Sequence, residues 1–125
     1  MNSQAVLVLG NHANRNLVKA LSRVGFVPQV WGSMRHSLEK LSQQRFVAVI
    51  VDRKFTSADV LEFILNVRDI NQEIPVVVIG PGSDERIDKK ISSLGLTIIL
   101  NGSRRDDTIG EILANALKDS KSENV

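Results

Sequence analysis

Cysteine and long apolar runs are both absent from the chain. The lack of cysteine excludes disulfide bonds, thiolate metal sites and cysteine nucleophiles, and it favours a reducing compartment such as the cytoplasm. No apolar run approaches the roughly 18 residues of a membrane span. Residues 1–4 carry none of the positive charge that opens a signal peptide. We therefore expect a cytoplasmic protein that does not enter a membrane.

Acidic residues are nearly missing from the first part of the chain. Residues 1–51 contain six basic residues and one acidic residue, Glu39, whereas residues 52–125 contain ten basic and thirteen acidic residues. A small domain with this distribution can present one basic face. It has no block of lysine and arginine of the kind found in nucleic-acid-binding tails, so we expect no direct binding of nucleic acid by this domain.

Five short apolar segments alternate with five segments of helical periodicity. With 125 residues and 42% hydrophobic residues, the chain has the composition of one globular domain. The second apolar segment contains Pro28 and is typical of an edge strand. The predicted fold class is α/β, a flavodoxin-like three-layer (βα)5 sandwich whose parallel five-stranded sheet has the order 2-1-3-4-5. Strands are predicted at residues 6–9, 27–31, 46–51, 75–79 and 96–100.

The domain is assigned to residues 1–117, and the polar residues 118–125 are predicted to form a tail or the start of a linker. Helix ends are predicted from capping residues and glycines. Caps are expected at Ser33, at Thr56 with Asp59, at Ser83, and at Ser103 with Asp106, and helix ends at Gly25 and Gly95.

The helices have clear apolar faces. Opposite the apolar face of the first helix, Arg15, Lys19 and Arg23 recur every four residues. This basic stripe is either a solvated surface or a contact surface for an acidic partner. The predicted inward residues are Leu17, Val18, Leu21 and Val24; Met34, Leu38 and Leu41; Val60, Ile64 and Val67; Ile87, Ile91 and Leu94; and Ile109, Ile112, Leu113, Ala116 and Leu117.

The candidate site follows from the strand assignment. Ligands of open α/β sheets bind beyond the carboxyl ends of the strands, near the point where the strand order reverses. Segments 10–12, 52–54, 80–83 and 101–105 would meet there. The predicted switch-point crevice consists of Gly10, Asn11, Gly80 and Asn101, with Asp52 at the end of the third strand beside them.

Basic residues follow two of these strands. Arg53 and Lys54, with the later pair Arg104 and Arg105, would make the crevice mildly basic and suited to a phosphate-bearing ligand; solvated loop charges are the alternative. Segment 80–83 lacks the Walker lysine and the dinucleotide fingerprint, which favours an ordinary tight turn. No metal site is predicted, because His12 and His36 lack the spacing of metal ligands.

Several residues between positions 5 and 117 form a pattern of fixed spacings. Gly25-Phe26 closes the first helix with a glycine–aromatic pair, and Asp52 follows Gly25 by 27 residues, at the end of the third strand. Further members of the pattern are Phe55, Asp59, Leu61, Glu62, Pro75 and Leu94-Gly95. Over residues 5–117 this pattern resembles the receiver domain of bacterial two-component response regulators, in which the aspartate at the position of Asp52 is the phosphoacceptor. The match is partial, since Thr56 and Val60 replace a proline and a glycine of the family pattern.

The resemblance also implies a phosphoryl-transfer reaction, but most of the residues that the family uses for this reaction are missing from this chain. A receiver takes a phosphoryl group from a phosphohistidine donor onto its aspartate, with Mg²⁺ held by that aspartate and an acidic pair ending the first strand. Hard cations prefer carboxylate oxygens, yet Gly10 and Asn11 stand in place of the acidic pair. Other signature positions are replaced as well: Gly80 stands for the hydroxyl residue, Asn101 for the lysine, Gly102 for the proline and Ile98 for the switch aromatic.

We therefore predict a degenerate receiver-like module of a bacterial signalling or regulatory pathway. It would act by protein–protein interaction, with homodimer formation as one option, and not as an enzyme; Asp52 would be a vestigial phosphoacceptor, and no cofactor would be required. Two alternatives stay open. One is a genuine two-component or phosphorelay receiver that is phosphorylated on Asp52 with Mg²⁺. The other is a module that binds a small phosphate-bearing ligand at the carboxyl end of the sheet.

Overall fold

Strands and helices alternate along the whole chain, as predicted. The computed structural model describes residues 4–10, 15–54, 59–82, 84–100 and 106–123, with side chains in the last segment for 109–117. The elements are β1 (Ala5–Leu9), α1 (Arg15–Arg23), β2 (Val27–Trp31), α2 (Met34–Gln43), β3 (Ala48–Asp52), α3 (Val60–Ile70), β4 (Val76–Ile79), α4 (Glu85–Ser92), β5 (Thr97–Leu100) and α5 (Asp106–Glu123).

The strands form one parallel sheet in the order β2-β1-β3-β4-β5, which confirms the predicted flavodoxin-like topology. In the register of the central strands, Val8 pairs with Ile50 and Asp52 pairs with Ile79. The carboxyl ends of β1, β3 and β4 therefore meet at one edge of the sheet. Along the chain, β2 is added on one side of β1, and β3, β4 and β5 are added on the other side. The strand order therefore reverses between β1 and β3, next to Asp52.

Alternate strand residues pack into two apolar clusters, one on each face of the sheet. Leu7, Val49 and Val78 are among those that pack with α2, α3 and α4. The intervening residues, such as Val8 and Ile50, pack with α1 and α5. Because helices cover both faces, the inner strands are apolar along their length, as the sequence predicted.

The edge strand β2 is less buried than β1 and β3, which confirms its predicted position. Val27 donates its N–H to the carbonyl of Gln4, at 2.9 Å, on the side of β1. The N–H of the next residue would point away from β1, but that residue is Pro28 and has no N–H. This open edge is therefore a poor template for another strand.

Helix α5 packs directly against α1. A Cβ added to Gly110 would lie 2.9 Å from Val24 Cγ2 and 3.1 Å from the Ala20 carbonyl oxygen, so the two helix backbones are close together here. Helix α5 continues to Glu123, past residue 117, at which the domain boundary was predicted. Among the described residues, no helix is both long and apolar enough to cross a membrane.

The helix caps differ in part from the prediction. Ser33 caps α2 as expected, accepting a hydrogen bond from His36 N at 3.1 Å. Asp59 caps α3 and accepts from Glu62 N at 3.2 Å, so the helix starts later than a cap at Thr56 would require. Asp84, and not Ser83, caps α4 by accepting from Arg86 N at 2.9 Å. A carboxylate is at least as good an N-cap acceptor as a hydroxyl. Thr56, Ser83 and Ser103 lie outside the described residues.

Two predicted inward residues are exposed. Val24 is 43% exposed because it follows the last residue of α1, and Ile87 is 45% exposed in the first turn of α4. Conversely, Ala20 and Phe63 are buried although the sequence pattern did not select them. The other predicted inward residues are buried or half-buried.

Arg68, in the last turn of α3, connects three segments of backbone. Its guanidinium donates to the carbonyls of Ile74 at 2.6 Å, Leu94 at 2.7 Å and Leu96 at 2.9 Å. Burial lowers the pKa of Arg68, because desolvation disfavours the charged form. The guanidinium leaves no room for a side chain at Gly95, where a Cβ would lie 2.8 Å from Arg68 Nε. The Arg68 side chain thus holds both the turn before β4 and the turn before β5 in place.

Replacing Arg68 by methionine should lower the free energy of unfolding by about 2 kcal/mol, because hydrogen bonds from a charged donor to several carbonyls are lost. Chemical denaturation measures the loss. Arg86→Met is the matched control, since the Arg86 side chain is 93% exposed and should tolerate the same change. Equal stability of the two variants would show that the Arg68 contacts contribute nothing.

Candidate functional site

Two of the four predicted crevice residues, Gly10 and Gly80, lie with Asp52 at the carboxyl edge of the sheet. Gly10 follows β1, Asp52 ends β3 and Gly80 follows β4. Gly10 and Asp52 are in close contact, since a Cβ on Gly10 would lie 3.2 Å from Asp52 Cβ. The other two, Asn11 and Asn101, lie outside the described residues, as do His12, Arg104 and Arg105.

Asp52 is a buried carboxylate, only 2% exposed. Its Oδ1 accepts a hydrogen bond from the backbone N–H of Lys54, at 3.1 Å. This bond from an aspartate to the residue two positions later stabilises the turn that follows β3. Asp52 therefore has a structural role in this turn, whether or not it accepts a phosphoryl group.

The surroundings of Asp52 do not fit a magnesium ion. Within the described ranges, no three histidine, aspartate or glutamate side chains lie close enough together to hold a metal. The β1–α1 connection cannot supply a carboxylate, because the chain has no acidic residue before Glu39. Mg²⁺ is usually held by one or two carboxylates together with substrate phosphates and water. The Asp52 carboxylate is followed by two basic residues, Arg53 and Lys54, and would therefore be a weak ligand for Mg²⁺.

Arg53 joins the loop after β3 to the loop after β4. Its Nε donates to the carbonyl of Gly80 at 3.0 Å, and its Nη2 donates to the same oxygen. Its Nη1 donates to Asp88 Oδ1 at 2.8 Å, which makes an ion pair with side chains only 12% and 21% exposed. We call the three residues Arg53, Gly80 and Asp88 the arginine latch.

The arginine latch depends on a lack of side chain at Gly82. A Cβ there would lie 2.6 Å from Arg53 Nη1 and 2.6 Å from both carboxylate oxygens of Asp88. The latch also changes the charge of the crevice. Arg53 supplies less free positive charge than the sequence suggested, because Asp88 neutralises it at short range.

Gly80 has a backbone conformation that disfavours any other residue. Its φ is +102°, in the region that L-residues rarely adopt. Space is not the obstacle, because a Cβ would lie at ordinary contact distances of 3.5 and 3.7 Å from Arg53 and Lys54. The obstacle is local backbone strain. A hydroxyl residue at this position would require a different loop.

The sequence pattern missed the arginine latch. Arg53 and Asp88 are 35 residues apart, and only the three-dimensional placement of α4 beside the β3 loop brings them together. Two sequence features are related to the latch: the two glycines that flank Pro81, and the acidic first turn of α4. Neither feature identifies Asp88 as the partner of Arg53.

A groove of about 1090 Å³ lies at the opposite end of the sheet. Gln4, Phe26, Phe46 and Ile74, which precede β1 to β4, line its floor together with Leu117 of α5. No predicted site residue contributes to this groove. It is therefore separate from the crevice around Asp52.

A double-mutant cycle tests the arginine latch. We expect Arg53→Met and Asp88→Ala each to destabilise the protein, with a coupling of about 1–2 kcal/mol because the pair is largely shielded from water. Urea denaturation of the two single variants and the double variant measures it. The control cycle uses the exposed pair Arg35 and Glu39, which is 3.4 Å apart and should couple by less than about 0.5 kcal/mol. Equal coupling in both cycles would contradict a shielded latch.

Alanine at position 80 should destabilise the protein by about 1–2 kcal/mol, because a residue with a Cβ is strained at this φ. Alanine at Gly32 is the control, since the Cβ would meet only the Gly10 carbonyl oxygen at 3.7 Å and φ there is not positive. Thermal unfolding of the two variants gives the comparison. A Gly80→Ala variant as stable as Gly32→Ala would show that the loop relaxes freely.

No protein-family model matches the sequence, and no curated protein sequence matches it. Solved structures do share its fold. A CheY-like response regulator receiver domain from Methanospirillum hungatei superposes with a TM-score of 0.85 at 10% identity, covering 98% of this chain and 99% of that one. The receiver domain of the sensor histidine kinase PA1611 from Pseudomonas aeruginosa, with magnesium in its active site cleft, gives 0.74 at 14% identity, with 94% and 99% covered.

A streptococcal redox sensor, from a family described as evolved from two-component response regulators, gives a TM-score of 0.82 at 7% identity. The match covers 96% of this chain and 53% of that one. At such low identities the similarity concerns the backbone, not the side chains of the site. The chain has the flavodoxin-like fold of CheY-like receiver domains.

Proposed function

We propose that this chain is a receiver-like signalling module that acts through protein–protein contacts and does not depend on phosphorylation of Asp52. The arginine latch is the observation that carries the proposal. The loop that would have to respond to a phosphoryl group on Asp52 has its Gly80 carbonyl bound by Arg53, and Arg53 is bound by Asp88.

The electrostatics at Asp52 support the proposal. Phosphoryl transfer to a carboxylate brings two negatively charged groups together, and catalysts offset this with metal ions and preorganised cations. Among the described residues, Asp52 belongs to no group of three acidic or histidine side chains that could hold Mg²⁺. The nearest arginine in sequence, Arg53, is already engaged by Asp88.

The parts that would transmit a signal also support it. Gly80 has no side chain that could move toward a phosphoryl group. Ile98 is a half-buried residue of β5, and its β-branched side chain has restricted χ1 freedom. A ligand shifts a conformational equilibrium only as far as it binds two states differently. We therefore infer a single conformation whose surface is available to partners at all times.

The streptococcal structure offers a parallel, because its family is described as redox sensors that evolved from response regulators. A receiver-like fold can thus serve another task. This chain has no cysteine, so its own task does not use a thiol.

A genuine phosphoacceptor is the second candidate, and one observation favours it. Asp52 is buried at the carboxyl end of β3, beside the point where the strand order reverses. That is where open α/β sheets bind ligands. A phosphate-bearing ligand bound noncovalently has less support, since the pairing of Arg53 with Asp88 leaves the crevice less basic.

Incubation with acetyl phosphate and Mg²⁺ distinguishes the two candidates, with intact-protein mass spectrometry as the readout. We expect no phosphorylated species from the wild-type chain under conditions that label an active receiver. Asp52→Asn should change the free energy of unfolding by less than about 1 kcal/mol, because an asparagine oxygen can still accept from Lys54 N–H.

The control variant is Asp59→Asn, which alters an exposed carboxylate at the start of α3. Labelling of wild-type and Asp59→Asn protein, together with no labelling of Asp52→Asn, would establish the phosphoacceptor function and overturn the proposal. Beryllofluoride with Mg²⁺ gives a second readout. Large chemical-shift changes across residues 84–100 would show that the loop and α4 do switch.

A further inference from the structure

Helix α1 presents an exposed basic surface. Arg15, Lys19 and Arg23 form a basic stripe, and all three are exposed. They make no ion pair with any described side chain, and α1 contains no acidic residue of its own. At about 1.5 Å rise per residue, the basic stripe is roughly 12 Å long. Like charges this close repel one another, so the surface is stabilised by any matching negative surface.

Helix α3 presents an exposed acidic surface. Asp59, Glu62 and Asp69 are all exposed and, among the described residues, none has an ion-pair partner. Their spacings of three and seven residues place them on one side of the helix. We call them the acidic face; from first to last they extend about 15 Å at the helical rise. Arg68, the basic residue of α3, is directed to backbone carbonyls and does not neutralise this face.

The two surfaces cannot meet within one molecule. Helix α1 packs on the face of the sheet that also carries α5, whereas α3 packs on the opposite face with α2 and α4. The two surfaces have similar lengths and opposite charge. Each also has an apolar neighbour on the same side: Leu65, three residues after Glu62, is 41% exposed, and Val18, three residues after Arg15, is half-buried.

We propose that the basic stripe of one copy of this chain docks on the acidic face of a second copy. The partner of α1 is thus α3 of the next molecule, chosen by charge and length. Because the two surfaces lie on opposite sides of the sheet, the contact is heterologous. It leaves one basic stripe and one acidic face free at the ends, so copies add in an open row and do not close as a dimer.

Other described surfaces fit the basic stripe less well. Helix α2 already pairs its acid, Glu39, with Arg35. Helix α4 mixes both signs, with Lys89 and Lys90 directly after Asp88. The open edge of β2 is blocked by Pro28, so strand addition does not compete. Exposed ion pairs contribute little each, which makes the contact weak and sensitive to salt. The proposal is independent of whether Asp52 is phosphorylated.

Sedimentation velocity of the full chain tests the contact. In about 20 mM salt, where the Debye length is roughly 20 Å, the average mass should rise with concentration beyond that of a dimer. In about 300 mM salt the association constant should fall by about tenfold or more, because the charges are then screened. A mass that reaches a plateau at the dimer, or a monomer at every concentration in low salt, would overturn the proposal.

Charge reversal assigns the two surfaces. The α1-reversed variant carries Arg15→Glu, Lys19→Glu and Arg23→Glu, and the α3-reversed variant carries Glu62→Lys and Asp69→Lys. Each should be monomeric alone in low salt, and an equimolar mixture should associate again because the reversed surfaces match each other. The α1-reversed variant should also shorten wild-type rows, since its acidic face can bind an end but its own α1 cannot extend the row.

The matched control reverses two exposed basic residues elsewhere, Lys89→Glu and Lys90→Glu on α4, and should associate like the wild type. Circular dichroism of each variant confirms that it is folded. Association that survives both reversals, or that is lost equally in the α4 control, would contradict docking of α1 on α3. Binding of the wild-type stripe to a short DNA duplex without self-association would equally overturn it, in favour of a nucleic-acid surface.

Discussion

Burial of the inner strands on both faces is the constraint on which the rest of the structure depends. Once β1 and β3 are covered by helices on each side, polar side chains can occur only at the strand ends. Asp52 lies at such an end, and so do the glycines that follow β1 and β4. The charge and the hydrogen-bonding groups of the crevice are therefore determined by the residues at the strand ends and in the loops. Among the described residues, this edge carries the carboxylate of Asp52, the small residues Gly10 and Gly80, and an arginine that is paired with Asp88.

The alternation of strands and helices, the order of the sheet and the edge position of β2 were all predictable from the sequence, because apolar runs and turn residues act locally. The predictions were wrong at helix ends, where two neighbouring residues could occupy the same structural position. Asp84, and not its neighbour Ser83, caps α4. Either side chain could accept the capping hydrogen bond, and the residue at which the helix begins determines which of them does. Val24 has the right spacing for the core, but the helix ends before it.

The interactions that define the crevice were not predictable in the same way. The sequence placed Gly10, Asp52 and Gly80 together, because parallel strands end at one edge. It did not pair Arg53 with Asp88, or Arg68 with three distant carbonyls. Those contacts depend on how two loops approach each other, and a long flexible side chain leaves no periodic pattern. The acidic face of α3 was not predicted either, because charged residues on the outer side of a helix are typical of any solvated surface.

The contact at Gly110 has a mechanical consequence. Val24 and the Ala20 carbonyl oxygen already occupy the space that a side chain at this position would need, so α5 can lie this close to α1 only with glycine there. Helix α5 runs on to Glu123. A larger residue at position 110 would turn the axis of α5 away from α1, and the displacement would increase along the helix toward that end.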